Sequence, residues 1–98
     1  MRLRYTAEAN MAIGLIYEYI AQHNPAAATR VASRIRAAVL RLVAFPYMGR
    51  LGAVPGIHEW VVRGLPYIIV YSVDPDEDVL TVMDIFHAAQ NRPRGPAE

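Results

Sequence analysis

The chain has no cysteine and no lysine among its 98 residues. The first absence excludes disulfides and thiolate chemistry and fits a reducing compartment, so a cytoplasmic location is expected. The second excludes any mechanism that needs a catalytic lysine. No apolar run approaches the ~18 residues of a membrane span. Residues 1–11, MRLRYTAEANM, carry no apolar h-region and no cleavage pattern, so neither a membrane partner nor a secretory signal is expected. The three histidines, at 23, 58 and 87, lack ligand spacing, which predicts no metal. A phosphate-cradling glycine loop, a nucleophile elbow and a Cys/His pair are all missing, and no cofactor is expected.

What is present is mostly apolar. Hydrophobic residues make up 54% of the chain, high for a domain that buries only about 60–65% of its unfolded surface. The surplus points to an exposed contact surface. The length fits one domain, placed at 1–93, with 94–98 as a flexible tail. A net charge of +1 is too small for non-specific nucleic-acid binding, but it is unevenly spread. Residues 1–50 hold seven arginines against two acids, and residues 51–98 hold three arginines against seven acids. The first half is therefore basic and the second acidic. The exclusive use of arginine fits coding bias first, and the alternative is carboxylate or phosphate partners gripped by two hydrogen bonds.

Hydrophobic periodicity supplies the elements. Arg2–Tyr5 alternates as a short strand. Thr6 caps a helix expected over 7–23, with Glu8 in its first turn. Ala9, Ala12, Ile13, Ile16 and Ile20 form one buried stripe. Met11, Leu15 and Tyr19 form a second stripe, so this helix needs cover on two sides: from the next helix, and from a sheet or a partner. Asn24 and Pro25 are an N-cap and a first helical residue, and they open a helix over 25–44. Its stripe runs through Ala28, Val31, Ala32, Ile35, Val39 and Leu42, while Arg30, Arg34 and Arg41 share another face. Phe45 precedes Pro46 and leaves the α region. Gly49, Gly52, Pro55 and Gly56 mark a loop. Three strands follow, over 58–63, 67–73 and 79–86, and a helical turn is expected over 87–91. YIIVYSV at 67–73 is apolar on both faces, as a central strand requires. The predicted fold is α+β with order β-α-α-β-β-β. Its antiparallel sheet is a three-stranded meander with the N-terminal strand added at an edge, packed on a helical hairpin.

These residues resemble the RelE/ParE family of bacterial type II toxin–antitoxin toxins, over about residues 3–93. The likeness rests on YEYIAQHNPAAATRVASRI, FPYMGR, GIHEWVVRGLPYIIVYSV and HAAQNRP, in that order and at those spacings. It implies a toxin neutralised by a cognate antitoxin in a hetero-oligomer, with a role in plasmid stabilization. RelE-like members cut messenger RNA on the ribosome with basic residues on the sheet, whereas ParE-like members poison DNA gyrase without being nucleases. This chain has Ile68 where a RelE-like toxin has a catalytic arginine, Glu59 and Val61 where lysines are expected, and Ala88-Ala89 after His87 where another arginine is expected. HAAQNRP is similar to the ending of ParE-like members. The resemblance thus implies the ParE-like branch, a gyrase target and no catalytic residues. The alternatives are a ribosome-dependent endoribonuclease using His87, Arg63 and Arg92, and a remnant that only binds antitoxin. His58 stands where many members have arginine.

The contact candidates are Met11, Leu15, Tyr19, Arg50, His58, Glu59, Trp60, Arg63, His87, Gln90 and Arg92. Each has a plainer reading beside it. His87 at a strand end is often a hydrogen-bonded structural group. Glu59 and Arg63 belong on a solvated face where cross-strand pairing contributes at most ~1 kcal/mol. Arg50 is either a loop residue or a grip for an acidic antitoxin group. Trp60 is either core or an interface anchor. The Arg30, Arg34, Arg41 row is either a solvated face or a dock for acidic antitoxin or gyrase-held DNA.

Overall fold

The computed structural model describes residues 1–89. The elements are β1 (Arg2–Tyr5), α1 (Ala7–Ala21), α2 (Pro25–Ala44), β2 (Arg50–Leu51), β3 (Ile57–Val61), β4 (Tyr67–Asp74) and β5 (Val79–His87). Both helices start at the expected caps. The Thr6 hydroxyl accepts from the Ala9 N–H at 3.0 Å, and the Asn24 side-chain oxygen accepts from the Ala27 N–H at 3.0 Å. α1 stops at Ala21, two residues short of the expected end. The Asn24 N–H is already bonded to the Ile20 carbonyl there, which turns the chain directly into the next cap.

The five strands form one sheet in the order β1-β5-β4-β3-β2. The β3-β4-β5 meander is antiparallel, as expected. Two details correct the sequence reading. β1 does sit at an edge, but it pairs with β5 in parallel, so the sheet is mixed. The predicted glycine loop also contains a two-residue strand, β2, antiparallel to β3. Two exposed residues carry too little alternation to be seen in sequence.

The helices cover one sheet face. Ala9 and Ile13 of α1 and Ile35, Val39 and Leu42 of α2 pack with Tyr67, Ile69 and Tyr71 of β4 and Leu80, Val82 and Ile85 of β5. On the opposite face Ile68, Val70 and Phe86 form a smaller cluster with Ile57. β4 is buried on both faces from Tyr67 to Tyr71, as its composition implied.

β5 breaks its own alternation. Val70 pairs with Asp84 but Tyr71 pairs with Val82, so Met83 is the extra residue of a bulge. Strict alternation from Leu80 and Val82 would aim the Asp84 carboxylate inward. The bulge instead sends Ile85 into the core beside Val82. It is anchored by Thr6, whose hydroxyl donates to the Met83 carbonyl at 2.9 Å. The cap of α1 and the kink in β5 are therefore one joint.

Candidate partner-binding groove

The second stripe of α1 stays uncovered. Met11, Leu15 and Tyr19 are 66%, 60% and 68% exposed, although each is a large apolar or aromatic side chain. With Ala12 and Ile16 they form one wall of a groove of about 560 Å³. Tyr67 of β4 and Asp84, Ile85, Phe86 and His87 of β5 form the other wall, and Glu8 closes one end. The described lining holds two carboxylates, two phenols and one imidazole, and no arginine.

His87 and Tyr67 are register partners, and their rings meet edge to face at 5.4 Å. Burial pushes the Tyr67 phenol above its usual range, with a smaller push from Tyr19. Tyr67 is therefore a neutral hydrogen-bond donor at physiological pH. The His87 Nδ1 accepts from the Ala89 N–H at 3.0 Å, which locks the ring at the strand end. A turn follows at Ala88-Ala89, and the rest of the helical turn expected over 87–91 lies outside the described residues. Gln90 and Arg92, along with the predicted 94–98 tail, lie outside the described residues.

The remaining candidates divide into two places. Glu59 is only 6% exposed, not on a solvated face as its alternation with Val61 and Arg63 suggested. It pairs with Arg50 across the β2–β3 register, with the guanidinium 2.9 Å from Oε1. Arg50 is thus already engaged within the chain. His58, a contact candidate in sequence, is also buried, stacked on Tyr71 at 5.3 Å and edge-on to Tyr47 at 5.7 Å. Its Nδ1 has no hydrogen-bond partner. The Tyr71 phenol donates to the Pro46 carbonyl at 2.8 Å and accepts from the Gly49 N–H at 3.1 Å. This pins FPYMGR onto the sheet. A Cβ on Gly49 would lie 2.5 Å from that phenol oxygen and 2.7 Å from the Glu59 carbonyl, so only glycine fits. Most of the motif is therefore structural.

Trp60 and Arg63 do not line the groove of His87. They line a second groove of about 530 Å³ with Arg34, Ala37, Ala38 and Arg41 of α2, together with Met48 and Val62. Of the residues named for a nuclease, His87 lines the first groove and Arg63 the second, and Arg92 lies outside the described residues. Sequence reasoning missed Tyr67, Asp84 and Phe86 in the first groove. The available signal was the odd spacing of Val82 and Ile85, which marks the bulge. Among the described residues, no three His, Asp or Glu side chains are placed to hold a metal ion. No described helix is long and apolar enough to cross a membrane.

The family model for the ParE toxin of the type II toxin–antitoxin system parDE matches residues 3–92. The chain belongs to the ParE toxin family. It is similar to "Putative toxin Y4kP" of Sinorhizobium fredii (strain NBRC 101917 / NGR234), with 40% identity over 93 residues, covering 95% of this chain and 94% of that protein. A solved structure of the chromosomal ParDE TA system from P. aeruginosa superimposes with a TM-score of 0.79 at 23% identity, covering 89% of this chain and 95% of that one. The isolated E. coli RelE toxin superimposes less closely, with a TM-score of 0.68 at 15% identity, covering 92% and 86%. The ParE-family chain is accordingly a toxin of a type II toxin–antitoxin system. Two helices on a β sheet are the framework it shares with both solved toxins.

Proposed function

We propose that this ParE-family toxin acts by binding, with DNA gyrase as its target, and that a cognate antitoxin neutralises it by laying an amphipathic helix in the α1–β5 groove. The uncovered Met11, Leu15, Tyr19 stripe carries this reading. Three large side chains on successive turns of one helix, facing an apolar trough, are the anchors that helix-in-groove recognition uses. Their exposure costs nothing while a partner covers them. A binding role also accords with the groove lining, because phosphoryl transfer on RNA needs cations near the reacting phosphate and the described lining holds no arginine.

Purified toxin tests the target directly in gyrase supercoiling and cleavage-complex assays. Loss of supercoiling with accumulation of cleaved DNA is expected, and gyrase that works unimpeded overturns the target. Antitoxin neutralisation predicts a short neighbouring frame, encoding a ribbon-helix-helix or similar DNA-binding protein, whose product co-purifies with the toxin and restores gyrase activity.

The second reading is a ribosome-dependent endoribonuclease, and the Tyr67–His87 edge contact favours it. A phenol and an imidazole that share one groove are the residue types that acid–base chemistry uses. Primer extension on translated mRNA decides between the two. Cleavage that disappears in His87→Ala establishes the nuclease, and intact mRNA beside inhibited gyrase removes it. Growth that continues on expression, with antitoxin binding retained, identifies the third possibility, a binding remnant.

A further inference from the structure

The α2–β3 groove has a chemistry of its own. Arg34, Arg41 and Arg63 line it, and no acidic residue among the described residues does. None of these three guanidiniums has a carboxylate within ion-pair distance among the described residues. Arg34 is held in place, since its guanidinium donates to the Arg63 carbonyl. It lies against Gly64, where a Cβ would come within 2.9 Å of it and where φ is +78°. The β3–β4 turn thus leaves out a side chain and seats a cation. Arg34 and Arg41 are seven residues apart on α2, about 10 Å along its axis, and Ala37 and Ala38 form a small-residue floor between them. Two arginines at the ends of a flat apolar floor match a ligand with two anions and a small apolar middle.

We propose that this groove docks an acidic amphipathic helix of a protein partner. Carboxylates at positions i and i+7 of that helix meet Arg41 and Arg34. Apolar side chains at i+3 and i+4 lie on Ala37 and Ala38, where the missing bulk lets two helices approach closely. Arg63 adds a third charge from the sheet side. Nucleic acid is the poorer match. Trp60 is packed against the core and only partly exposed, so its ring is not an open stacking platform. The chain's pI of about 8.2 is also below that of typical nucleic-acid-binding domains.

Trp60 is the sole tryptophan, so its fluorescence reports this groove. The probe is a helical alanine-based peptide of about 16 residues with Glu at i and i+7 and Leu at i+3 and i+4. Controls are the same peptide with Gln at both Glu positions, and a single-stranded DNA oligonucleotide. A saturable Trp60 change is expected with the Glu peptide. Affinity should be at least tenfold weaker for the Gln peptide, and weaker by a similar factor in Arg41→Gln. Arg34→Ala can loosen the β3–β4 turn, so the exposed Arg41 is the deciding position, and an unchanged melting midpoint shows that its variant is folded. Met11→Ser with Leu15→Ser should leave this binding intact, which separates it from the α1–β5 groove. The proposal is overturned by absent binding, by equal binding of the Gln peptide, by unchanged affinity in Arg41→Gln, by tighter binding of the oligonucleotide, or by loss of binding in the Met11/Leu15 variant.

Discussion

Two grooves flank the same helical hairpin, and they differ in almost every chemical respect. The α1–β5 groove is lined by Met11, Leu15 and Tyr19, with carboxylates at Glu8 and Asp84. The α2–β3 groove is lined by three arginines around an alanine floor. Their volumes are close, at about 560 and 530 Å³. Shape therefore follows from the fold, whereas character follows from the outward residues of one helix each. α1 is apolar on two sides and spends only one of them on the core. α2 buries a single stripe and turns arginines outward. Helix-on-sheet packing needs only the inner stripes, so the outer ones are available to recognise partners.

The largest expected effect removes both grooves at once. Tyr71 is fully buried at the centre of the sheet and also ties down the 46–49 segment. Tyr71→Ala should cost about 3–5 kcal/mol, read from the urea midpoint. A loss below about 1 kcal/mol would show that this segment and the sheet do not depend on the phenol.

The next effect separates the grooves. Met11→Ser with Leu15→Ser touches only exposed side chains, so folding stability should move by less than about 0.5 kcal/mol. Antitoxin affinity should fall about 30-fold or more, as for lost interface anchors. Unchanged affinity in a titration with purified antitoxin would remove the α1–β5 groove as its seat.

The smallest effect concerns pH. Burial raises the Tyr67 and Tyr71 phenols above 10.0, with the Gly49 N–H partly opposing the shift at Tyr71. The folded state therefore favours the protonated phenols. Their contribution to stability is fully present below the unfolded-chain value of about 10. It is lost as pH rises through the higher folded values. Urea midpoints should be insensitive to these two groups across neutral pH and should drop in the alkaline range, less steeply in Tyr67→Phe. An alkaline drop of the same slope in that variant would show that Tyr67 ionises as freely in the fold as in the unfolded chain.

Much of this architecture was legible in the residues because it is local. Thr6, Asn24 and Pro25 announce the helix starts through bonds spanning three residues, and YIIVYSV announces a central strand by composition. The spare stripe was legible too, because Met11, Leu15 and Tyr19 recur at helical spacing. What escaped was non-local. Nothing in Arg2–Tyr5 says that its neighbour is β5 or that the pairing is parallel. Glu59 alternates with Val61 and Arg63 and so looked solvated, but its burial depends on Arg50 arriving from a strand of two residues. The bulge at Met83 puts Ile85 rather than Asp84 in the core, and it is held by a hydroxyl 77 residues away.

That last bond bears on how the toxin is made. β1 and the start of α1 are synthesised well before β5. They close on each other through Leu3 beside Leu80 and through the Thr6 N–H on the Val82 carbonyl. The α1–β5 groove consequently has one wall from each end of the domain. A nascent chain that has not yet released His87 from the ribosome exit tunnel has no such groove, however well its helical hairpin has formed. Such a late-closing contact means that copies cut short before β5 present the Met11, Leu15, Tyr19 stripe without its facing wall.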